Sequence, residues 1–127
     1  MKRWAYVLMA LAALSGAAGV IEAAAAAHVN ADPLLQTSAN YLVLMGTATI
    51  AIAAFALAAQ HRRAFYLVAG STLLAGSALF CGDLSVRAFF AHKLFDFAAP
   101  LGGTLMICGW LAAALSAFAS LASREQT

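Results

Sequence analysis

Long, nearly unbroken apolar stretches make up most of this chain. Each of them exceeds the roughly 18 to 20 apolar residues with which a helix crosses about 30 Å of hydrocarbon. None alternates apolar and polar residues with the period of two that is typical of a membrane-spanning strand. The pattern predicts one all-α domain, residues 1–127, and excludes a barrel. The four predicted transmembrane helices run from Trp4 to Ala27, Ala39 to Ala59, Ala64 to Phe90 and Pro100 to Ala122.

The segments between the predicted helices are short. Residues 28–38 connect the first two helices, residues 60–63 the second and third, and residues 91–99 the last two. Short connections place consecutive helices side by side and antiparallel, so we expect an up-down-up-down bundle. In the first connection, Pro33 after Asp32 predicts a short turn of helix capped by Asp32, and Ser38 or Asn40 is expected to cap the second helix itself.

Small residues predict where the helices pack closely, because helix association in a bilayer relies on contact over small side chains. Pro100 fits the first turn of the fourth helix, where its missing N–H costs nothing. Gly102 and Gly103 predict that a neighbouring backbone approaches that turn. Elsewhere, small residues four positions apart predict the interior faces of the bundle: Ala12 and Gly16, Ser15 and Gly19, Thr72 and Gly76, Ser77 and Cys81, and Gly109 and Ala113.

Composition and charge agree with a membrane protein. Hydrophobic residues make up 65% of the chain and charged residues 9%, against roughly 25% charged residues in a soluble domain. Short cytoplasmic segments retain basic residues, so the charge distribution predicts that both termini are cytoplasmic. The small positive charge is accounted for by this topology and indicates no nucleic-acid partner. Lys2, Arg3, Arg62, Arg63 and Arg124 lie on the predicted inner side, and Arg87 and Lys93 on the outer side.

The first apolar segment also resembles a secretory signal. Lys2 and Arg3 precede its apolar core, and the alanines from Ala23 to Ala27 offer an A-x-A cleavage pattern. The apolar run is longer than a signal core of roughly 7 to 15 residues. We therefore interpret it as a retained transmembrane helix.

Three ionisable residues fall inside the predicted helices: Glu22, Asp83 and Arg87. Such a group at hydrocarbon depth costs roughly 2.5 to 3.5 kcal/mol and usually needs a partner. Both acids lie near the outer ends of their helices, and Asp83 and Arg87 are four residues apart on one face. Since a guanidinium can donate to two carboxylates, we expect Arg87 to join Asp83 and Glu22 in a structural clamp. A proton relay or ion site is the alternative.

The chemistry of known catalytic and cofactor sites is missing from the pattern. Glu22, His28, Asp32, His92 and Asp96 all belong to the outer side, but no two have ligand spacing on one helix, so we expect no metal site. No histidine lies within a predicted span, which argues against haem. No nucleophile with its base and no phosphate loop is present. We expect no cofactor, no enzymatic activity and no soluble small-molecule substrate.

The second half of the chain resembles the small membrane proteins known as the domain-of-unknown-function-423 family. The resemblance rests on the segments Leu79-Phe80-Cys81-Gly82-Asp83-Leu84 with Arg87, Leu94 to Thr104, and Gly109-Trp110-Leu111. It implies a four-helix protein of the bacterial inner membrane and lends no established biochemical activity.

The first half departs from that family's pattern. Family members typically have Gly-Ala-Phe-Gly-Ala-His late in the first helix and Tyr-Gln-x-x-His in the second. This chain has Gly19-Val20-Ile21-Glu22-Ala23-Ala24 and Tyr41-Leu42-Val43-Leu44-Met45 at those places. Both histidines and the glutamine are absent, which favours a structural role.

Two functions remain open at this stage. The first is a structural or accessory subunit, or scaffold, of a larger membrane complex, in contact with lipids and with other membrane-protein subunits. The second is a self-standing small transporter or lipid-associated protein, with the cluster of Glu22, Asp83 and Arg87 at its outer face. For the first function, the candidate partner contacts are Phe89, Phe90, Phe95, Phe97 and Trp110.

Overall fold

The structure, a computed structural model, describes residues 1–126 and contains four long helices in that part of the chain. At about 1.5 Å per residue, each helix is about 40 Å long, and each is apolar enough to cross a membrane. The prediction of four transmembrane helices is confirmed. Their bounds are α1, Lys2–His28; α2, Pro33–Ala58; α3, Arg63–Phe90; and α4, Ala98–Arg124.

The α2–α3 pair forms the centre of the bundle. Extensive contacts join each helix to the next in sequence, and a much smaller contact joins α1 to α3. Within residues 1–126, α1 and α4 make no comparable contact, so they flank the central pair. We call the end that holds residues 59–62 and the termini the terminal end. The opposite end holds the 1–2 loop, residues 29–32, and the 3–4 loop, residues 91–97, and is called the loop end.

The start of α2 differs from the prediction. The expected short turn and the second helix are one continuous helix that begins at Pro33, and the Oδ1 atom of Asp32 accepts a hydrogen bond from the Leu34 N–H at 2.9 Å. Ser38 therefore lies inside α2 and is buried, so it caps nothing. The reason is that neither Ser38 nor Asn40 interrupts the helix, since a polar residue inside a helix need not leave it.

The fourth helix begins two residues earlier than predicted, at Ala98. Its N-cap residue, Phe97, has a left-handed backbone with φ of 67°. Pro100 falls in the first turn, as expected from its missing N–H,.

Apolar packing fills the terminal end and the middle of the bundle. At the terminal end, the buried residues come from α1, α2 and α3; in the middle, Met45, Leu73 and Met106 bring α2, α3 and α4 together. The terminal-end group consists of Ala5, Leu8, Ala53, Ala56, Tyr66 and Leu67.

Helices α3 and α4 approach each other most closely at glycine. A Cβ atom added to Gly102 would lie 2.8 Å from the carbonyl oxygen of Gly76, and one added to Gly76 would lie 2.7 Å from the backbone nitrogen of Met106. A Cβ atom added to Gly109 would likewise lie 2.8 Å from the backbone nitrogen of Leu73. Gly103 was expected to take part, but a Cβ atom there would meet nothing within 4 Å. Consecutive helix residues are rotated by about 100°, which turns Gly103 away from α3.

Arg63 closes the end of α2. Its Nε donates to the carbonyl oxygen of Ala56 at 2.8 Å, and its Nη2 donates to those of Leu57 at 3.2 Å and Ala59 at 3.1 Å. These carbonyls belong to the last turn, where intrahelical donors run out. A positive charge there also complements the helix dipole.

Arg63→Ala should therefore lower the free energy of unfolding by about 2 kcal/mol, because hydrogen bonds to charged groups contribute more than neutral ones. Arg62→Ala is the control, since the same charge is removed one residue away and should cost less than about 1 kcal/mol. Unfolding by denaturing detergent in mixed micelles measures both. Equal losses in the two variants would contradict a specific capping role for Arg63.

Candidate functional site

Asp83 is the most deeply buried charged residue of the loop end, with none of its surface exposed. Its Oδ2 atom accepts a hydrogen bond from Arg87 Nε at 2.8 Å and forms an ion pair with Arg87 Nη2 at 2.7 Å. The two residues are four apart on α3, which places them on one face of the helix. The Arg87 side chain is 31% exposed, so the pair joins a buried carboxylate to a cation at the surface.

The second oxygen of Asp83 holds the 3–4 loop. Oδ1 accepts a hydrogen bond from the backbone N–H of Leu94 at 2.9 Å. The loop begins and ends at residues with left-handed backbones, Ala91 with φ of 57° and Phe97 with φ of 67°. Non-glycine residues adopt this conformation only where the surroundings fix it. One buried carboxylate thus fixes both Arg87 and the path of the loop.

Glu22 takes a different partner from the one predicted. Its Oε1 atom accepts a short hydrogen bond from the Ser85 hydroxyl of α3, so the predicted contact with Arg87 is wrong. The cause is helix geometry: Ser85 lies two residues from both Asp83 and Arg87, or about 200° around α3, and faces away from them. Glu22 approaches from α1 on the Ser85 side. Its Oε2 atom is buried and has no hydrogen-bond partner among the described residues.

Ser38 and Ser85 extend this contact into α2. Their hydroxyl oxygens lie 3.1 Å apart, and Ser38 donates to the carbonyl oxygen of Cys81 at 3.2 Å. Cys81 Sγ in turn lies 3.5 Å from the carbonyl oxygen of Ser38. Glu22, Ser85, Ser38 and Cys81 therefore form a polar connection through α1, α3 and α2, here called the serine network.

Sequence reasoning missed the serine network. The available signal was the spacing of Ser77, Cys81 and Ser85, small polar residues four apart on one face of α3. Only the first two were identified, as a packing face. Asn30 was also missed: its side-chain amide donates to the carbonyl oxygen of Ala88 at 2.9 Å and fixes the 1–2 loop on α3.

Nearer the middle of the bundle, the hydroxyl groups mostly return to their own helix. The Thr47 hydroxyl donates to the carbonyl oxygen of Val43, and the Thr72 hydroxyl donates to that of Val68, in each case four residues earlier in the same helix,. The Thr49 hydroxyl is buried and has no partner within residues 1–126. These groups form no continuous polar path with the loop end in the contacts of the described residues.

The predicted partner contacts are exposed. The four phenylalanines surround the 3–4 loop, and Trp110 lies farther along α4. Cys108 is exposed as well, whereas Cys81 is buried, and both thiols are free. The exposed fractions are 49% for Phe89, 68% for Phe90, 49% for Phe95, 76% for Phe97 and 47% for Trp110.

The loop end also holds most of the acidic residues, but they do not converge. Within residues 1–126, no three side chains of histidine, cysteine, aspartate or glutamate lie close enough to hold a metal ion. The serine network and the Asp83–Arg87 pair are chemically a set of hydrogen bonds that hold helices and loops.

Comparison with known sequences places this geometry in a family. Residues 16–103 match the family described as a protein of unknown function (DUF423). The chain belongs to the DUF423 family. The match begins inside α1, so it covers both halves of the chain, including the first half that departs from the expected pattern. It ends at Gly103, so the Gly109-Trp110-Leu111 segment lies outside it.

Curated relatives of this DUF423 protein are membrane proteins. A UPF0382 membrane protein of Haemophilus influenzae is 35% identical over 119 residues, which cover 88% of this chain and 94% of the relative. The UPF0382 inner membrane protein YgdD of Escherichia coli K12 is 32% identical over 111 residues, which cover 81% of this chain and 82% of the relative. No solved structure matches the chain. Together with the four long apolar helices, these relatives make it a bacterial inner-membrane protein.

Proposed function

We propose that this DUF423 protein is a structural or accessory subunit of a larger membrane complex and contacts its partner through the 3–4 loop. We define the loop surface as Phe89, Phe90, Phe95 and Phe97. We further propose, from the distribution of basic residues, that both termini are cytoplasmic, which places the loop surface on the outer side.

The observation that carries this proposal is the fixed path of the 3–4 loop. Exposed apolar side chains along a helix face lipid in any membrane protein and say little about partners. The loop surface differs because a fully buried carboxylate holds the segment at Leu94. Burying a charge is costly, and lipid contact alone would not require a fixed loop. Rigid aromatic side chains at a fixed position are typical of protein interfaces.

The serine network supports the same function. It links α1, α2 and α3 beneath the loop end, so that the loop surface rests on three connected helices. Transporter sites typically lie near the midplane, at helices that are interrupted there, whereas each of the four helices described here is continuous. Near the loop end, the Ser38 hydroxyl of α2 donates to the Cys81 carbonyl and the Ser85 hydroxyl of α3 donates to Glu22 of α1, so the contacts join three helices as a support.

Site-specific photo-crosslinking in the native host tests the proposal. A photoreactive phenylalanine analogue replaces Phe90 or Phe95, and the matched control replaces Phe118, which is 70% exposed near the other end of the bundle. We expect one discrete crosslinked product from the loop surface and only diffuse lipid adducts from Phe118. No discrete product at either loop position, together with a monomer in mild detergent, would contradict the subunit function and favour a self-standing transporter.

A further inference from the structure

The terminal end contains a basic pocket that the proposed function does not use. A cavity of about 550 Å³ opens between the 2–3 connection and the end of α4. Its polar side is formed by His61, Arg62, Ser123 and Arg124, and one of its apolar walls is Phe55. We infer that this cavity, the basic pocket, binds the phosphate headgroup of an anionic membrane phospholipid.

The distribution of charge favours an anion there. The terminal end carries five of the seven lysine and arginine residues and one of the five acidic residues, Glu125. Helix α3 begins at the pocket with no side-chain cap and no acidic residue in its first turn. The positive end of its dipole adds to the potential of the arginines, whereas the negative C-terminal ends of α2 and α4, which lie at the same pocket, oppose it, so the attraction comes mainly from the arginine side chains,. An anion in this position is attracted by several fixed charges at once.

Arg62 is positioned to bind while its neighbour is not. The Arg63 guanidinium donates to the last carbonyls of α2, so Arg63 acts inside the fold. Arg62 instead places Nη2 2.9 Å from the Ser123 hydroxyl and its guanidinium 6.0 Å above the Phe65 ring. A guanidinium has five N–H donors, so most remain available for a two-point contact with phosphate.

The shape of the basic pocket favours a lipid over a soluble anion. Its wall includes Phe55 and Ala58 of α2, and Phe55 is 54% exposed on the membrane-facing side of the helix. The cavity thus has a basic face beside an apolar face at the end of a membrane-spanning bundle. A phospholipid presents the same arrangement, with a charged phosphate directly above its acyl chains. Basic pockets between transmembrane helices are typical sites for anionic headgroups.

Native mass spectrometry of the purified full chain tests this site. The probes are phosphatidylglycerol and phosphatidylcholine with identical acyl chains, added to detergent micelles, and inorganic phosphate at the same concentration. We expect wild-type protein to retain phosphatidylglycerol in preference to phosphatidylcholine. Arg62→Gln and Arg124→Gln should each lower phosphatidylglycerol affinity about fivefold, the factor that corresponds to about 1 kcal/mol for one basic residue at an anionic surface.

Arg3→Gln is the matched control, because it removes the same charge from the same end of the bundle outside the basic pocket. Its effect should stay below about twofold if binding is local. Equal losses of phosphatidylglycerol affinity in Arg3→Gln and Arg62→Gln would show diffuse electrostatic attraction to this end of the bundle and would contradict a specific site. Equal retention of phosphatidylglycerol and phosphatidylcholine by wild-type protein would contradict the proposed site. Equal binding of inorganic phosphate, lost in Arg62→Gln, would make it a soluble-anion site and overturn the lipid assignment.

Discussion

Arg87→Leu is expected to lower the free energy of unfolding by about 3 kcal/mol, the scale on which a buried charge that loses its partner destabilises a protein. The Asp83 carboxylate would keep only the Leu94 N–H, because both of its contacts with Arg87 come from the deleted guanidinium. Asp83 has no exposed surface through which water could replace that guanidinium. Unfolding in mixed micelles, followed by circular dichroism, measures the loss.

Two further variants isolate the cause. Lys93→Leu removes an exposed cation from the adjacent loop and should cost less than about 0.5 kcal/mol,. Adding Asp83→Asn to Arg87→Leu should recover at least half of the lost stability. Asparagine carries no charge and keeps an oxygen for the Leu94 N–H. Unchanged stability in Arg87→Leu would show that the Asp83 charge is solvated, and no recovery in the double variant would show that the arginine contributes through packing alone.

The number of helices and most of their bounds could be predicted because they depend on the length of each apolar run, whereas the start of α2 is set by Asp32 and Pro33, six residues before the predicted start. The Asp83–Arg87 contact could also be predicted, because both residues lie on one helix and their spacing fixes their relative position. The contact between Asp83 and Leu94 could not. It depends on the path of a loop that begins and ends in left-handed conformations at Ala91 and Phe97, residues that give no sequence signal for such a backbone,.

The partner of Glu22 was missed for a different reason. In a soluble helix, a polar face and an apolar face show which side packs inward. In a membrane helix both sides are apolar, so the sequence of α1 does not show how the helix is rotated against α3. That rotation decides whether Glu22 meets Ser85 or Arg87, which lie on opposite faces of α3.

The sequence also does not show in which direction two adjacent arginine side chains extend, which explains why Arg62 and Arg63 were given one role. Arg62 and Arg63 were both assigned to membrane topology, yet Arg63 caps α2 and Arg62 lines the basic pocket. Arg62 is the left-handed N-cap residue of α3 and Arg63 is the first residue of the helix, so the two side chains leave the backbone in different directions. Matched substitutions at neighbouring positions are therefore the sharpest test of this fold.

Gly102→Ala is expected to destabilise the bundle by about 3 kcal/mol, whereas Gly103→Ala should stabilise it slightly. The added methyl at Gly102 would lie 2.8 Å from the Gly76 carbonyl oxygen and closer still to the backbone nitrogen of Phe80. Backbone atoms of a packed helix cannot rotate away as a side chain can, so α3 and α4 must move apart, at the upper end of the usual cost of overpacking. At Gly103 the methyl meets nothing within 4 Å, and alanine gains up to about 1 kcal/mol of helix propensity over glycine,.

Comparing both variants with wild type in the same micelles separates close packing from a general effect of alanine. Gly102→Ala should also loosen the contact of Met106 with Met45 and Leu73, because these three residues join α4 to the central pair. Gly76→Ala is expected to reproduce the loss, since its methyl would lie 2.8 Å from the Gly102 carbonyl oxygen on the other side of the same contact. Similar stability for Gly102→Ala and Gly103→Ala would mean that α3 and α4 do not approach at Gly76 and Gly102, and that the second turn of α4 is open to lipid on both faces.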